Sequence, residues 1–232
     1  NQRERLTCSD LVLAIGHSAR DTFSMLYERG IPMEAKSFAV GLRVQHPQEM
    51  INISQYGREE SGELGAAPYK VAAKAKNGRG VYSFCMCPGG YVVNASSEAG
   101  MLAVNGMSYS GRDSQGANSA IIVSVTPKDY GSEHPLSGIA FQRMLEKRAY
   151  ELGKGKIPVQ SFGAYREGLR KGDKQETVLI SGKGCQNGGE SVMKPLCKGA
   201  FCRADVSAIL PEECNEALLD GMEAFGKQIE GF

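Results

Sequence analysis

The sequence predicts an α+β fold: a central, mostly antiparallel sheet or small barrel flanked by helices, with one strand-turn-helix unit of α/β type at its start. Three observations carry that expectation. Alternation with a period of two dominates the middle of the chain, in short runs divided by turn residues. Helical spacing is confined to the first thirty residues and to the stretch after Pro135. The length, 232 residues, suffices for a large core in one main unit with a satellite.

Residues 11–15, Leu-Val-Leu-Ala-Ile, are continuously apolar and end at Gly16, the habit of a strand buried on both faces of a parallel sheet. Ser18 is placed to cap a helix, with Asp21 three residues on, Phe23 and Leu26 at helical spacing, and Gly30 then Pro32 as the stop. From Phe38 to Gln45, large apolar residues alternate with Ala39, Gly41 and Arg43, a half-buried strand. Residues 46–68 read as a long polar loop, and residues 69–76 run into Asn77-Gly78, a strong hairpin signal. Residues 81–86, 91–95, 101–104 and 120–125 supply further short strands.

After Pro135, Ser137 caps a helix with Phe141, Leu145, Arg148 and Leu152 on one face and Gly153 at its end. The last helix has Pro211 in its first turn and carries Cys214, Leu218, Met222 and Phe225 as its apolar stripe. Between them the chain is glycine-rich and weakly periodic. It includes a short strand at 177–180 and a loop, 182–188, that misses the dinucleotide fingerprint by one position.

Charge nearly cancels, 27 Lys and Arg against 26 Asp and Glu, which argues against nucleic acid and anionic membranes as partners. No apolar run approaches the roughly 20 residues of a membrane span. Seven cysteines, an odd number with two of them separated by a single residue, suit a reducing, cytoplasmic setting better than a disulfide framework. The chain opens without Met and reaches a buried-strand pattern within ten residues, so it reads as an inner segment of a longer polypeptide.

Chemistry concentrates in residues 80–120. Cys85 and Cys87 sit two apart on an expected strand, so both side chains leave one face. Pro88 ends the ladder, and Gly89-Gly90 lets backbone N–H groups approach a ligand closely. Such a loop can deliver thiols and donors to a planar cofactor or substrate. It can equally be a hairpin whose cysteines are small core groups. No metal site is expected: a lone Cys-x-Cys lacks a second ligand pair, and Cys185, Cys197, Cys202 and Cys214 are irregularly spaced. His46 and His134 each precede Pro, where a solvated or loosely bonded imidazole is expected. His17 lies just past the apolar run, beside the donors of a helix N-terminus, where ligands bind in α/β sheets.

Taken together, LVLAIGHSARD at 11–21, residues 41–47, YSFCMCPGG at 82–90, ASSE at 95–98, NGMSY at 105–109, NSA at 118–120 and the closing stretch from Leu210 to Phe232 resemble the bacterial FAD-dependent dehydrogenases, also called NAD(FAD)-utilizing dehydrogenases. The resemblance covers essentially the whole chain. It implies a flavoprotein whose FAD-binding Rossmann half is interrupted by a large inserted domain. Residues 1–35 would then be a fragment of that half, and residues 36–232 the inserted substrate or cap domain. Gly16, His17, Ser18, Gly89 and Gly90 would approach the cofactor, Cys85 and Cys87 would be catalytic, and Asn105, Arg112 and Asn118 would meet a small-molecule substrate. NADH or NADPH is the implied electron donor, and the remaining FAD-binding part of the same polypeptide the implied partner. This sequence lacks the family's amino-terminal G-x-G-x-x-G and its glycine-rich carboxy-terminal segment, which implies an incomplete flavin site and an inactive segment. The alternative is a non-catalytic module that binds a metabolite or partner through the same loops.

Overall fold

The computed structural model describes residues 4–171 and 194–232. In chain order these form α1 (Arg20–Glu28), β1 (Phe38–Pro47), α2 (Gln48–Tyr56), β2 (Ala72–Lys74), β3 (Gly80–Cys87), β4 (Gly90–Asn94), β5 (Val104–Ser108), β6 (Gly116–Val125), α3 (Ser137–Gly153), β7 (Ile157–Val159), α4 (Phe162–Lys171), β8 (Cys197–Lys198), β9 (Phe201–Arg203) and α5 (Glu212–Phe225). The fold is α+β, with a mostly antiparallel sheet structure flanked by helices and, among the described residues, no closed barrel.

The main sheet has the order β1-β6-β3-β2 and is antiparallel throughout. Alternation assigns its two faces. Val40, Leu42 and Val44 of β1 stand with Ile121, Val123 and Val125 of β6 on the core face, where α5 packs. That helix turns Cys214, Leu218, Met222 and Phe225 inward, and Gly221 lies so close to Val81 that a Cβ there would meet Val81 Cγ1 at 2.5 Å. On the opposite face stand Arg43, Gln45, Asn118 and Cys87, a polar row covered by a second sheet of order β5-β4-β8. Four consecutive residues of β6, Gly116 to Ser119, are therefore buried.

Several elements differ from the sequence expectation. Residues 11–15 form no strand, and Leu11 and Val12 are 76% and 86% exposed. A strand buried on both faces needs neighbours to take up its backbone groups, and the described sheets offer this segment none. Ser18 does not cap α1, whose N-cap is Ala19 with no side-chain bond. What holds the helix is Arg20, 2% exposed, donating to Glu98 Oε1 at 2.9 Å and to Glu146 Oε1 at 2.6 Å on α3.

The expected loop at 46–68 contains α2, whose polar sequence hid a helix that buries Gln48, Ile51 and Asn52. His46 is not solvated. It is the penultimate residue of β1, 7% exposed, with Phe232 packed against its ring at 4.4 Å. The strand expected at 101–104 is displaced to Val104–Ser108, because Leu102 turns into the core while the polar Asn105-Gly106 backbone completes the ladder with β4. Ser137 lies inside α3 and donates to His134 O at 2.6 Å, and Ala149, not Arg148, lies on the buried face. Helix α4 and the parallel pair β7-β9 were not expected. The Asn77-Gly78 hairpin forms between β2 and β3, with Gly78 at φ +84°. Residues 177–180 and 182–188 lie outside the described residues, as does Cys185.

Candidate functional site

The polar row between the sheets converges on Arg43. Its Nε donates to Asn118 Oδ1 at 2.7 Å, Nη1 to Asn105 Oδ1 at 3.4 Å, and Nη2 to Cys85 O at 2.6 Å and Cys87 Sγ at 3.4 Å. Four residues chosen from sequence, Cys85, Cys87, Asn105 and Asn118, thus meet around one guanidinium that was not chosen. Its signal was present: Arg43 stands on the small-residue side of an alternating strand, a position that reads as solvent-facing until a second sheet covers it.

Glycine makes this convergence possible. A Cβ on Gly106 would lie 1.8 Å from Arg43 Nη2 and 2.3 Å from Asn118 Oδ1, so β5 can cross the guanidinium only with bare backbone. On the other side β3 bulges. Phe84 pairs with Ala120 and Cys87 with Asn118, leaving one extra residue on β3, and Cys85 sits in the left-handed region at φ +45°. The bulge breaks the two-residue period, so Cys85 and Cys87 do not simply share a face. Cys87 is half-buried with its sulfur on Arg43, whereas Cys85 is exposed and offers its carbonyl.

The Gly89-Gly90 turn is closed by protein. Gly89 is buried, its N–H donates to Gln48 Oε1 at 2.8 Å, and a Cβ there would meet Arg112 O at 1.8 Å. Arg112 itself is exposed and takes φ +48°, contributing backbone to that contact. Gln45 ties its side-chain amide to both backbone groups of Leu196, donating to O at 3.1 Å and accepting from N at 3.2 Å, which seats β8 beside β4. Gly16, His17 and Ser18 are not joined to this cluster. Among the described residues the only side-chain bond there is the 3.5 Å contact between Ser18 Oγ and His17 Nε2.

The electrostatics are one-sided. Among the described residues no carboxylate lies within ion-pair distance of Arg43, and burial pushes its guanidinium below the ordinary value, an effect opposed by the nearby sulfurs of Cys87 and Cys85. Asn118 is fully buried, and among the described residues its Nδ2 has no acceptor. The rim is apolar: Phe84, Met107 and Tyr109 are each more than half exposed. Behind the cluster, on the core face, His46 Nε2 bonds Tyr69 OH at 3.0 Å and Tyr69 OH meets Ser119 Oγ at 2.6 Å. Burial lowers His46 to about 4 and raises Tyr69 above its usual range, so both are neutral. Among the described residues no group of three or more His, Cys, Asp or Glu is arranged to hold a metal, and no helix is long and apolar enough to cross a membrane.

The family described as FAD-dependent protein, C-terminal domain-like, matches residues 37–232. An "Uncharacterized protein" of Clostridium beijerinckii is 44% identical over 233 residues, covering 99% of this chain and 41% of that relative. The chain thus spans about two fifths of the length of the curated relative it matches. With a match over most of its length, and a folded unit whose polar row lies inside that match, the chain belongs to the family of FAD-dependent proteins, C-terminal domain-like.

Proposed function

We propose that this chain is the substrate or cap domain of a FAD-dependent oxidoreductase, and that the Arg43 cluster is the face it turns toward the flavin ring. The observation that carries the reading is the half-buried guanidinium, without a carboxylate partner among the described residues, set among Cys85, Cys87, Asn105 and Asn118 under the bare backbone of Gly106. A fixed positive charge suits the electron-rich edge of a flavin, and an apolar rim suits its flat face. The fit is to the ring and not to the dinucleotide: among the described residues no strand leads through a glycine turn into a helix N-terminus that would cradle a pyrophosphate.

When bound, FAD would supply two-electron transfer between a nicotinamide nucleotide and a small-molecule substrate. This chain's residues would exclude water with Phe84, Met107 and Tyr109, fix the electrostatics with Arg43, and present Cys85 and Cys87 to the substrate. The remainder of the polypeptide would hold the rest of the cofactor.

The test uses the intact polypeptide. We expect a yellow protein that NADH or NADPH bleaches in the absence of oxygen, and Arg43→Gln should retain flavin while its reduction potential becomes more negative, since a charge that favours the electron-rich form is gone. A colourless intact protein overturns the enzyme reading in favour of a binding module. Normal flavin content with an unchanged potential removes the Arg43 face from the ring.

A further inference from the structure

We infer that Cys85 and Cys87 form a redox dithiol and that the substrate class of this site is a disulfide of low molecular weight. Geometry supplies the first argument. In an extended strand, Cα atoms two residues apart lie about 6.6 Å from one another, at the upper edge of the roughly 4.4–6.8 Å that a disulfide spans. The bulge between Phe84 and Cys87 takes this stretch out of regular extended geometry, and Cys85 stands in the left-handed region. A residue other than Gly held in this region costs stability, and such conformations cluster where a site requires them.

The second argument is the division of labour between the sulfurs. Cys85 is exposed and is the one that an external disulfide can reach. Cys87 is half-buried, and Arg43 places an N–H and a positive charge on its sulfur at 3.4 Å. With no carboxylate on Arg43 among the described residues, this charge is left for sulfur. The other described cysteines lack this setting. Cys214 is buried in the core and Cys197 is half-buried, and burial pushes both thiols up.

The chemistry balances. The Cys85 sulfur, having lost its proton, attacks a disulfide RS–SR, forming Cys85–S–S–R and releasing one RS⁻ that takes up a proton. The Cys87 sulfur then attacks the Cys85 sulfur, forming the Cys85–Cys87 disulfide and releasing the second RS⁻. One substrate disulfide becomes two thiols while the dithiol becomes a disulfide. Two electrons and two protons from reduced flavin would restore the dithiol, and this last half alone rests on the flavin function proposed above.

The experiment treats the reduced 232-residue chain with oxidised glutathione and maps its thiols by peptide mass. The wild type should lose the Cys85 and Cys87 thiols together, as one intramolecular disulfide without retained glutathione. Cys87→Ser should trap one glutathione on Cys85, while Cys85→Ser should react at least roughly tenfold more slowly at Cys87. Arg43→Gln should slow resolution roughly tenfold, the value of a lost charged hydrogen bond, so that the mixed disulfide accumulates. Wild-type chain that keeps both thiols, carries glutathione on either residue without resolving it, or pairs either with another cysteine overturns the inference, and this arm needs no variant to fold. In the intact protein the preformed disulfide should be reduced by photoreduced flavin. Exchange in the chain combined with an intact protein that binds no flavin refutes the proposed function and leaves the dithiol standing.

Discussion

The Gly106→Ala substitution tests whether the Arg43 cluster is built as described. The added methyl would sit 1.8 Å from Arg43 Nη2, 2.5 Å from Cζ and 2.3 Å from Asn118 Oδ1. Strand β5 cannot retreat, because Gly106 is locked opposite Val92 in the middle of its ladder with β4. Asn118 is fixed at the centre of the main sheet, so the guanidinium is what moves. It then loses its bonds to Asn118 Oδ1 and Cys85 O, each worth about 1.5–3 kcal/mol as charged hydrogen bonds. Arg43 is only partly buried and recovers hydration as it swings out, which brings the net cost to about 2–4 kcal/mol. For a chain of this size that is a fall in Tm of roughly 5–15 °C. Thermal melts of four proteins decide it: wild type, Gly106→Ala, Arg43→Ala and the double variant. If Arg43 collides with the methyl, Gly106→Ala costs less once Arg43 is Ala, with the contact to Asn118 Oδ1 as the remainder, and the cycle is non-additive. Additive costs would show that β5 does not cross the guanidinium, and the geometry of the site would be wrong.

Two further outcomes are expected. His46, buried and held to about 4 where 6.5 is ordinary, keeps its full stabilising contribution above pH 6.5 and loses it as pH falls toward 4, because the unfolded chain takes up the proton first; at 1.36 kcal/mol per unit the loss is about 3 kcal/mol. Denaturant melts from pH 7 to 4.5 should show that slope in the wild type and a shallower one in His46→Gln, and equal slopes would refute it. The chain by itself should retain no stoichiometric FAD after desalting from an excess, as read from its visible spectrum, since among the described residues it lacks a strand-turn-helix cradle for the pyrophosphate; one flavin per chain would overturn this.

The parts of the fold that were legible in the sequence are those that local rules decide. Alternation in Phe38–Gln45 has a single structural meaning, and Asn77-Gly78 closes a hairpin wherever two strands flank it. Residues 11–15 failed because an apolar run specifies what a segment avoids and not which neighbours it has. α2 failed for the opposite reason: Gln48 and Asn52 are buried through bonds to one another, to Ala67 and to Glu59, and a polar helix satisfied this way gives no apolar stripe.

The site was half legible on the same grounds. Cys85, Cys87, Asn105 and Asn118 could be chosen because unusual residues crowd a strand and its return. Arg43 could not, since a single strand's polar face looks the same whether it meets water or another sheet. What distinguishes the two cases is Gly106, some sixty residues away, whose missing side chain makes room for the guanidinium. A glycine inside a strand weakens it unless a backbone must approach something closely, so an arginine on one strand's polar face and a glycine within another strand are, taken together, the sequence signature of a buried charge. The bulge at Cys85 follows from the same constraint: the main sheet must deliver a carbonyl and a sulfur to one guanidinium, and a regular strand cannot aim both. Charge, glycine and bulge are therefore one arrangement, and Arg43 is the residue that each of the others was shaped to admit.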